Sequence, residues 1–335
     1  MAACDLTLAG ALDAAGRPHF AATCYANAAG GPSHILYLGQ RANGTWSTYT
    51  FPLPANRLQL APQVAVDGNV VYVGYTSDRQ AQGSCGDNGL RDVGVYYRHR
   101  TLPNGAWSAP RVIGAAKDHL VSFRVVGGVV HALITAGDGR TFYEYAKSGT
   151  LHRYLIADSS GGGSLRIGDD GKARIVYAAA TGIRFGVFNG SSFDTVTIPG
   201  SSGGVEPTLV LGAGNQPYLM WERHYTGMGC AEPGPQPGDG TWFTSREAGA
   251  WTSRRITTAV GHDMTLDPSG QVHAFIANRY YVRTPAGRWI ASTFRVSAEM
   301  VTKYDPGHKR LVVAYMTHRY VSGVYRSYLY VISKS

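Results

Sequence analysis

The chain has 335 residues, of which 43 are glycine and 11% are aromatic. No apolar run approaches the roughly 18 residues of a membrane-spanning helix, and no stretch carries the apolar stripe of a three-turn helix. The formal net charge is +9, but the basic residues are scattered and no nucleic-acid-binding motif is present. This composition argues against a helical protein and a membrane-spanning helix, and it favours many short strands joined by tight turns.

Short hairpins recur along the chain at spacings of roughly 40 to 60 residues, the period of propeller blades. In each hairpin, apolar alternation runs into a tight turn and then resumes. The clearest copy is residues 264–276, whose turn is Asp267-Pro268-Ser269-Gly270. The turns of the other copies are residues 13–16, 67–69, 126–128, 169–171, 212–214 and 305–307.

Two further strands follow each hairpin, and the turn between them recurs as Gly-x-Trp. The copies are Gly44-Thr45-Trp46, Gly105-Ala106-Trp107, Gly249-Ala250-Trp251 and Gly287-Arg288-Trp289. Glycine permits the turn, and we expect each tryptophan to cover the adjacent blade. The repeats predict one all-β domain, a seven-bladed β-propeller with mostly four-stranded antiparallel blades. The predicted blades are approximately 5–54, 58–114, 118–158, 162–199, 204–258, 261–296 and 298–335. The last blade lacks an outermost strand, and closure by strand exchange between the chain ends stays open.

Propeller geometry separates the connections onto two faces. The inner hairpin turns and the Gly-x-Trp turns share one face and are short and glycine-rich. The remaining connections share the other face, are longer, and carry His, Glu, Arg and Tyr residues. We therefore expect a site on this second face, around the central channel, because loops on a rigid scaffold carry function. His19, His131 and His273 recur at one repeat position beside the turn, and we expect them to be structural.

The residue types at this rim suit general acid–base chemistry on a charged substrate. The catalytic candidates are His262, His119, His318, Tyr25 and Tyr320. The substrate-binding candidates are Arg79, Glu206, Glu222, Arg223, His224, Arg279, Glu299 and Arg319. Arginines could neutralise a uronate carboxylate while the proton beside it is removed. Polar residues at strand ends also satisfy loop backbone groups, so a structural role competes at each position.

The four cysteines are Cys4, Cys24, Cys85 and Cys230, and they fit no zinc-site spacing. Cys4 and Cys24 flank the first hairpin and could face each other across it. Cys85 and Cys230 lie in long loops at equivalent places of the second and fifth blades. An even number of cysteines favours disulfides in an oxidising compartment, with free buried thiols as the alternative. We expect a secreted protein from which a leader has been removed.

As an architecture, the whole chain resembles the secreted seven-bladed propellers of carbohydrate-active proteins. These include sialidase-like repeat proteins and propeller polysaccharide lyases such as the ulvan lyases. The Gly-x-Trp turns are similar to part of the Asp-box of the sialidase-like repeats, whose Ser-x-Asp-x-Gly part is absent here. The propeller lyases carry His, Tyr and Arg at the central face, which are the residue types found at this rim.

The resemblance implies a polysaccharide lyase that acts on an acidic, uronate-containing glycan. It implies a monomer whose partner is an acidic polysaccharide or oligosaccharide, with no nucleic acid and no membrane. No cofactor is expected, and a structural calcium or zinc ion stays open. A glycoside hydrolase that uses the rim carboxylates and a lectin without catalysis are the alternatives. The rim residues differ from blade to blade, whereas propeller lectins repeat theirs, which favours one unique site and hence an enzyme.

Overall fold

The computed structural model describes residues 3–25, 33–53, 57–79, 94–158, 161–224, 236–293, 300–321 and 324–334. Within these ranges the chain forms seven antiparallel sheets arranged in a ring. In every sheet the strands follow one another outward in chain order. Six sheets have four strands, and the seventh has three within the described residues. The predicted all-β, seven-bladed propeller is therefore confirmed.

The first four blades span the first six-tenths of the chain. Blade 1 consists of β1 (Ala3–Leu12), β2 (Pro18–Tyr25), β3 (Ser33–Gln40) and β4 (Trp46–Thr50). Blade 2 consists of β5 (Arg57–Asp67), β6 (Val70–Arg79), β7 (Gly94–Thr101) and β8 (Arg111–Val112). Blade 3 consists of β9 (His119–Val126), β10 (Val129–Thr135), β11 (Thr141–Lys147) and β12 (Thr150–Ala157). Blade 4 consists of β13 (Gly161–Ile167), β14 (Ala173–Ala179), β15 (Gly182–Phe188) and β16 (Phe193–Thr197).

The last three blades follow the same plan. Blade 5 consists of β17 (Gly204–Leu211), β18 (Pro217–Arg223), β19 (Gly240–Ser245) and β20 (Thr252–Thr257). Blade 6 consists of β21 (His262–Leu266), β22 (Val272–Ile276), β23 (Arg279–Arg283) and β24 (Trp289–Thr293). Blade 7 consists of β25 (Met300–Asp305), β26 (Arg310–Val321) and β27 (Val324–Lys334). Short 3-10 helices occur at Ala213–Asn215 and Glu247–Gly249. In the described part of the chain, no helix has the length and apolar character needed to cross a bilayer.

The hydrophobic core lies in the seams between neighbouring blades. Each sheet is covered by a neighbour on both faces, so its second strand is buried on both sides and reads as a continuous apolar run. Strands β14 and β22 are buried along almost their whole length, whereas the outermost strands β4 and β24 are mostly exposed.

The Gly-x-Trp tryptophans stabilise three of these seams. Each of the three packs edge-on against an aromatic ring of the preceding blade, with centroids 4.9 to 5.3 Å apart. The pairs are Trp107 on Tyr37, Trp251 on Phe185 and Trp289 on Phe243. Trp46 differs, because it is 38% exposed and stacks on Phe20 of its own blade. The expected cover of the adjacent blade is thus confirmed for three of the four tryptophans.

The ring closes where blade 1 packs against blade 7. Strand β1 lies beside β25, and Ala22, Cys24 and Met316 form one buried cluster across this seam. Blade 1 builds its four strands from residues 3–50, and blade 7 builds its three described strands from residues 300–334. No strand is exchanged between the two ends among the described residues, so side-chain packing closes the ring.

A substitution at Gly16 tests this closing seam. Gly16 has φ +71°, and an added Cβ would overlap the carboxylate of Asp305 in blade 7. Gly270 has the same turn position in blade 6, with φ +82° and nothing within 4 Å of an added Cβ. We expect Gly270→Ala to cost about 1 kcal/mol for backbone strain alone, and Gly16→Ala about 2–4 kcal/mol. Denaturant unfolding of both variants checks this, and equal losses would contradict the packed seam.

The recurring histidines beside the turns form a repeated structural pair. In three blades the Nδ1 atom of a buried histidine shares a hydrogen bond with a tyrosine hydroxyl of the next strand. The pairs are His19–Tyr37 at 2.6 Å, His131–Tyr143 at 2.7 Å and His273–Tyr280 at 2.6 Å. The expected structural role of these histidines is confirmed, because each links two strands of one blade away from the channel.

His131 makes stability depend on pH. Burial lowers the pKa of His131 from 6.5 to about 4. Between these pH values the unfolded chain binds a proton that the folded protein does not, so stability is present above pH 6.5 and is lost on acidification. The loss reaches about 3 kcal/mol near pH 4. In His131→Gln, which keeps a hydrogen-bonding group for Tyr143, unfolding free energy measured between pH 4 and pH 7 should fall less steeply. An unchanged slope would exclude His131 as the source.

Candidate functional site

The innermost strands of all seven blades surround a central channel of about 1020 Å³. We call the end at which these strands begin the upper mouth, and it is the face on which the sequence places the rim residues. His262 is the first residue of β21 and lies on the channel wall. Thr208 of β17 and Asp263 of β21 line the same wall.

A hydrogen-bonded chain of three side chains joins blades 5 and 6 at the upper mouth. The Nδ1 atom of His262 lies 2.7 Å from Oε1 of Glu222, and its Nε2 atom lies 3.1 Å from the hydroxyl of Thr208. The backbone N–H of Gly261 donates to the same Glu222 oxygen at 2.6 Å. The side chains of Glu222 and His262 are each only 2% exposed. The structure thus brings together two predicted residues, Glu222 and His262, with a threonine that the sequence did not indicate.

The charge of Glu222 fixes the proton positions in the hydrogen-bonded chain Glu222–His262–Thr208. Burial acts to raise the pKa of Glu222, but hydrogen bonds from His262 and Gly261 and the nearby His224 outweigh it, so the pKa is lowered overall. Glu222 is therefore an ionised acceptor, and His262 must donate from Nδ1. In the neutral ring, Nε2 then carries the lone pair and accepts the Thr208 hydroxyl proton.

His119 occupies the same repeat position three seams away, between blades 2 and 3. Burial lowers the pKa of His119, while the charges of Asp78 and Asp118 oppose that shift. Asp78 is fully buried near the end of β6, as Glu222 is near the end of β18. His119 does not line the channel, so of the two histidines only His262 is placed on a cavity wall.

Glu206 lies on a bulge of β17 directly before the channel wall. It is exposed and has φ +50°, a conformation that side chains other than glycine rarely adopt. The bulge recurs on the inner strands β5 and β13, with Ala61 at φ +48° and Gly162 at φ +68°. Bulges beside functional sites re-aim side chains, so strain at Glu206 marks it as a substrate-contacting candidate.

Replacing Glu206 and Ala61 by glycine separates strain from function. Both substitutions should stabilise the fold by about 1 kcal/mol, because each relieves the left-handed strain of the bulge. Only Glu206→Gly should weaken binding of a glycan, by several-fold, since Ala61 offers no polar group. Thermal unfolding and glycan titration of the two variants check this, and equal binding by both would remove Glu206 from the site.

The other described rim residues lie outside the channel. The guanidinium of Arg223 covers the ring of Trp242 at 5.2 Å and donates to the Gly200 carbonyl at 2.7 Å, which is a packing role. Arg279 is exposed at the start of β23. Nδ1 of His224 lies 3.4 Å from the second oxygen of Glu222, so His224 flanks the carboxylate that holds His262.

Several candidates fall on parts of the chain that the structure does not describe. Glu299, Cys85 and Cys230 lie outside the described residues. The strands contain the backbone of five others, whose side chains lie outside the description: Tyr25, Arg79, His318, Arg319 and Tyr320. For all of these the expected roles stay predictions.

Besides Thr208, four charged residues of the inner strands that line the channel were not predicted from the sequence: Asp263, Arg124, Arg166 and Lys303. The candidates predicted from the sequence are polar residues at the ends of strands, whereas these four residues lie within the inner strands. The available signal was a charge inside an otherwise apolar strand, as in the run Leu120-Val121-Ser122-Phe123-Arg124. In the described residues, no group of three or more potential metal-ligating side chains comes together.

Comparisons with known proteins support the propeller architecture and do not assign an activity. No protein-family model matches the chain, and no curated protein matches it. The Trypanosoma rangeli sialidase in complex with sialic acid is 12% identical, with a TM-score of 0.56 over 99% of this chain and 54% of the sialidase. The chain thus spans about half the length of that enzyme.

Two further solved structures cover most of both chains. The intramolecular trans-sialidase of Ruminococcus gnavus in complex with oseltamivir carboxylate is 9% identical, with a TM-score of 0.53 over 83% of this chain and 89% of that one. The Kuenenia stuttgartiensis hydrazine synthase is 10% identical, with a TM-score of 0.62 over 97% and 95%. Such distant likenesses show a shared propeller fold, and one fold serves unrelated chemistries.

Proposed function

We propose that the protein is a carbohydrate-active propeller that cleaves an acidic polysaccharide by β-elimination at the upper mouth, with His262 as the general base. The observation that carries the proposal is the hydrogen-bonded chain Glu222–His262–Thr208, which orients the imidazole of a residue that lines the channel. A general base needs an orienting partner and a lone pair within reach of substrate. Glu222 supplies the first, and Nε2 of His262 would supply the second once a substrate takes the place of its hydrogen bond with Thr208.

The proposed reaction follows from the acidity of a uronate. Nε2 of His262 takes the proton from the carbon that bears the uronate carboxylate. The electron pair forms a carbon–carbon double bond as the bond to the glycosidic oxygen breaks, and that oxygen takes a proton from a second acid. The charge that develops on the carboxylate is stabilised by nearby cations. The sialidase of Trypanosoma rangeli was solved with sialic acid, itself an acidic sugar, and this supports a propeller face as a site for such a ligand.

The two described carboxylates nearest to His262, those of Glu222 and Asp263, favour this reaction over hydrolysis. A glycoside hydrolase needs one carboxylic acid to protonate the leaving group and one carboxylate as base or nucleophile. Glu222 is held ionised by His262 and Gly261. Both oxygens of Asp263 accept backbone N–H groups, from Met264 at 2.9 Å and Thr302 at 2.5 Å. Neither carboxylate is placed to donate a proton, so the imidazole is the better acid–base group.

The test is incubation with a panel of acidic polysaccharides while the ultraviolet absorbance of the unsaturated uronate is followed. The wild type should produce the absorbance, and His262→Ala should not. The low exposure of His262 supports a second candidate, a glycan-binding protein in which the Glu222–His262 bond only joins two blades. That function would give glycan binding with neither the absorbance nor new reducing ends, and would overturn the lyase.

We also propose that the protein is secreted as a monomer with a disulfide between Cys4 and Cys24. The two residues are directly opposite on β1 and β2. Opposed residues of antiparallel strands have Cα atoms about 4.5–5.5 Å apart, within the span of a disulfide. Mass spectrometry of non-reduced peptides should recover the Cys4–Cys24 pair, and free thiols at both positions would remove this support for secretion.

A further inference from the structure

Three cationic side chains line the channel below the upper mouth. They are Arg124 of β9, Arg166 of β13 and Lys303 of β25, and we call them the cationic belt. Arg166 of β13 pairs with Arg174 of β14, and this is the second residue pair counted back from the turn of that hairpin. In β21 the same position is Thr265, which lies three residues past His262. With a rise of about 3.3 Å per residue, Arg166 lies about 10 Å farther along the inner strands than His262.

The belt occupies only part of the channel circumference. In the blades whose hairpins have the same turn length, the position of Arg166 is taken by Ala11, Val210 and Thr265. These residues also line the channel, and they are short and uncharged. The cations therefore face open space across the axis, since their counterparts neither fill the channel nor carry charge.

The hydrogen bonds described for the belt are local to each strand. Arg124 donates to the Phe123 carbonyl at 2.5 Å, and Lys303 donates to the Thr302 carbonyl at 3.1 Å. Arg166 donates to the Leu165 carbonyl at 2.8 Å and the Ser164 hydroxyl at 3.3 Å. A guanidinium has five N–H donors and an ammonium has three. These bonds use only part of that capacity and bring no negative charge to the belt.

The charge of Arg166 is unfavourable to that of Lys303. Burial lowers the pKa of Arg166 to about 10 and lowers that of Lys303, and the charge of Arg166 lowers the pKa of Lys303 further. Asp263 is the described acidic group whose charge opposes both shifts. Its carboxylate is already held by the N–H groups of Met264 and Thr302. Buried cations in excess over carboxylates are stabilised by a bound anion.

We propose that the cationic belt is an anion-binding site within the channel, separate from the upper mouth, that takes a small oxyanion: a phosphate, sulfate or carboxylate group. The guanidinium groups offer paired donors that match the oxygens of such a group, and the ammonium adds a point charge. The oxyanion could be a free ion or the charged group of a glycan. The site requires no catalysis and stands whether or not His262 acts as a base.

The test titrates phosphate, sulfate and glucuronate into the full chain by calorimetry and thermal unfolding, with chloride at equal ionic strength as reference. The wild type should bind and be stabilised by the oxyanions beyond chloride. Arg166→Met and Lys303→Met should each weaken binding by about 10- to 100-fold, because each removes a charge-assisted hydrogen bond. Arg254→Met, which changes an exposed arginine of β20, is the matched control and should leave binding unchanged.

A stability measurement guards against variants that merely fail to fold. In oxyanion-free buffer, Arg166→Met should be at least as stable as the wild type, because it removes one of several like charges. If glucuronate displaces phosphate and the belt variants lose glycan affinity, the oxyanion is the charged group of a glycan. If phosphate saturates the site without changing glycan affinity, the oxyanion is a free ion. No oxyanion effect in the wild type, or the same effect in Arg166→Met as in Arg254→Met, overturns the site. His262→Ala should retain oxyanion binding, so failure of the lyase and failure of the belt are distinguishable.

Discussion

Replacing Glu222 with glutamine is expected to lower turnover of an acidic glycan by about 10²–10⁴-fold, the range typical of a lost acid–base contribution. The amide is nearly isosteric and its oxygen can still accept the Gly261 N–H bond. The same oxygen can also accept the Nδ1 proton of His262, but the amide carries no charge, so it does not stabilise the imidazolium that forms when Nε2 takes a proton. Steady-state kinetics over a range of pH measure the effect.

The pH profile separates this role from a structural one. Glu222→Gln should alter the acid limb of the profile, because the carboxylate whose pKa is lowered by its hydrogen bonds no longer titrates there. Glu206→Gln, which changes an exposed carboxylate on the neighbouring bulge, should leave the limb in place. A Glu222→Gln variant with reduced turnover and an unshifted profile would show that Glu222 only joins the blades.

Replacing Arg153 with methionine is expected to destabilise the fold by about 3–5 kcal/mol, the cost of leaving buried charge unpaired. Arg153 of β12 bonds Asp118 at 2.6 Å and Glu144 at 2.5 Å. The Glu144 side chain is 0% exposed and that of Asp118 is 2% exposed. Methionine preserves most of the contact with Phe142, whose ring lies under the guanidinium. Denaturant unfolding at pH 8 measures the loss.

The stability lost in Arg153→Met should depend on pH and should be recoverable, because it comes from the charge of Glu144. Burial raises the pKa of Glu144 from 4.5 to about 7, against the attraction of Arg153. Ionising Glu144 therefore costs stability as pH rises from 4.5 to 7, and the cost is fully present above pH 7. Without Arg153 that cost grows, so Arg153→Met should recover stability on acidification toward pH 5. The double variant Glu144→Gln/Arg153→Met should recover much of it at pH 8. If neither condition restores stability, the loss comes from packing and not from charge.

The fold could be predicted because its signals are local in the sequence. Oδ1 of Asp13 accepts the N–H groups of Ala15 and Arg17, and Oδ1 of Asp267 accepts those of Ser269 and Gln271. Each such turn is specified within five residues, so the hairpins can be recognised without knowledge of the rest of the chain. The same holds for the Gly-x-Trp turns. The number of blades then followed from counting repeats.

The site could be predicted only in part, because its contacts join distant residues. Glu222 and His262 were found as polar residues at the ends of strands, but their bond spans 40 positions in the chain. Thr208 lies 54 positions from His262 and looks like an ordinary strand threonine. The same strand-end rule selected Arg223, which packs on a tryptophan instead. The rule cannot tell a residue that faces the channel from one that faces a seam, because the curvature of the ring decides this.

Closure of the ring by packing has a consequence for how the molecule folds. Every described strand pairs only with neighbours in the sequence, so each blade can form without waiting for a distant segment. The contact between β1 and β25 is different, since it closes a loop of nearly the whole chain. The Glu222–His262 bond needs only two adjacent blades. The belt draws on blades 3, 4 and 7, so it needs five consecutive blades in place, and a bound oxyanion would link the two ends of that series across the channel.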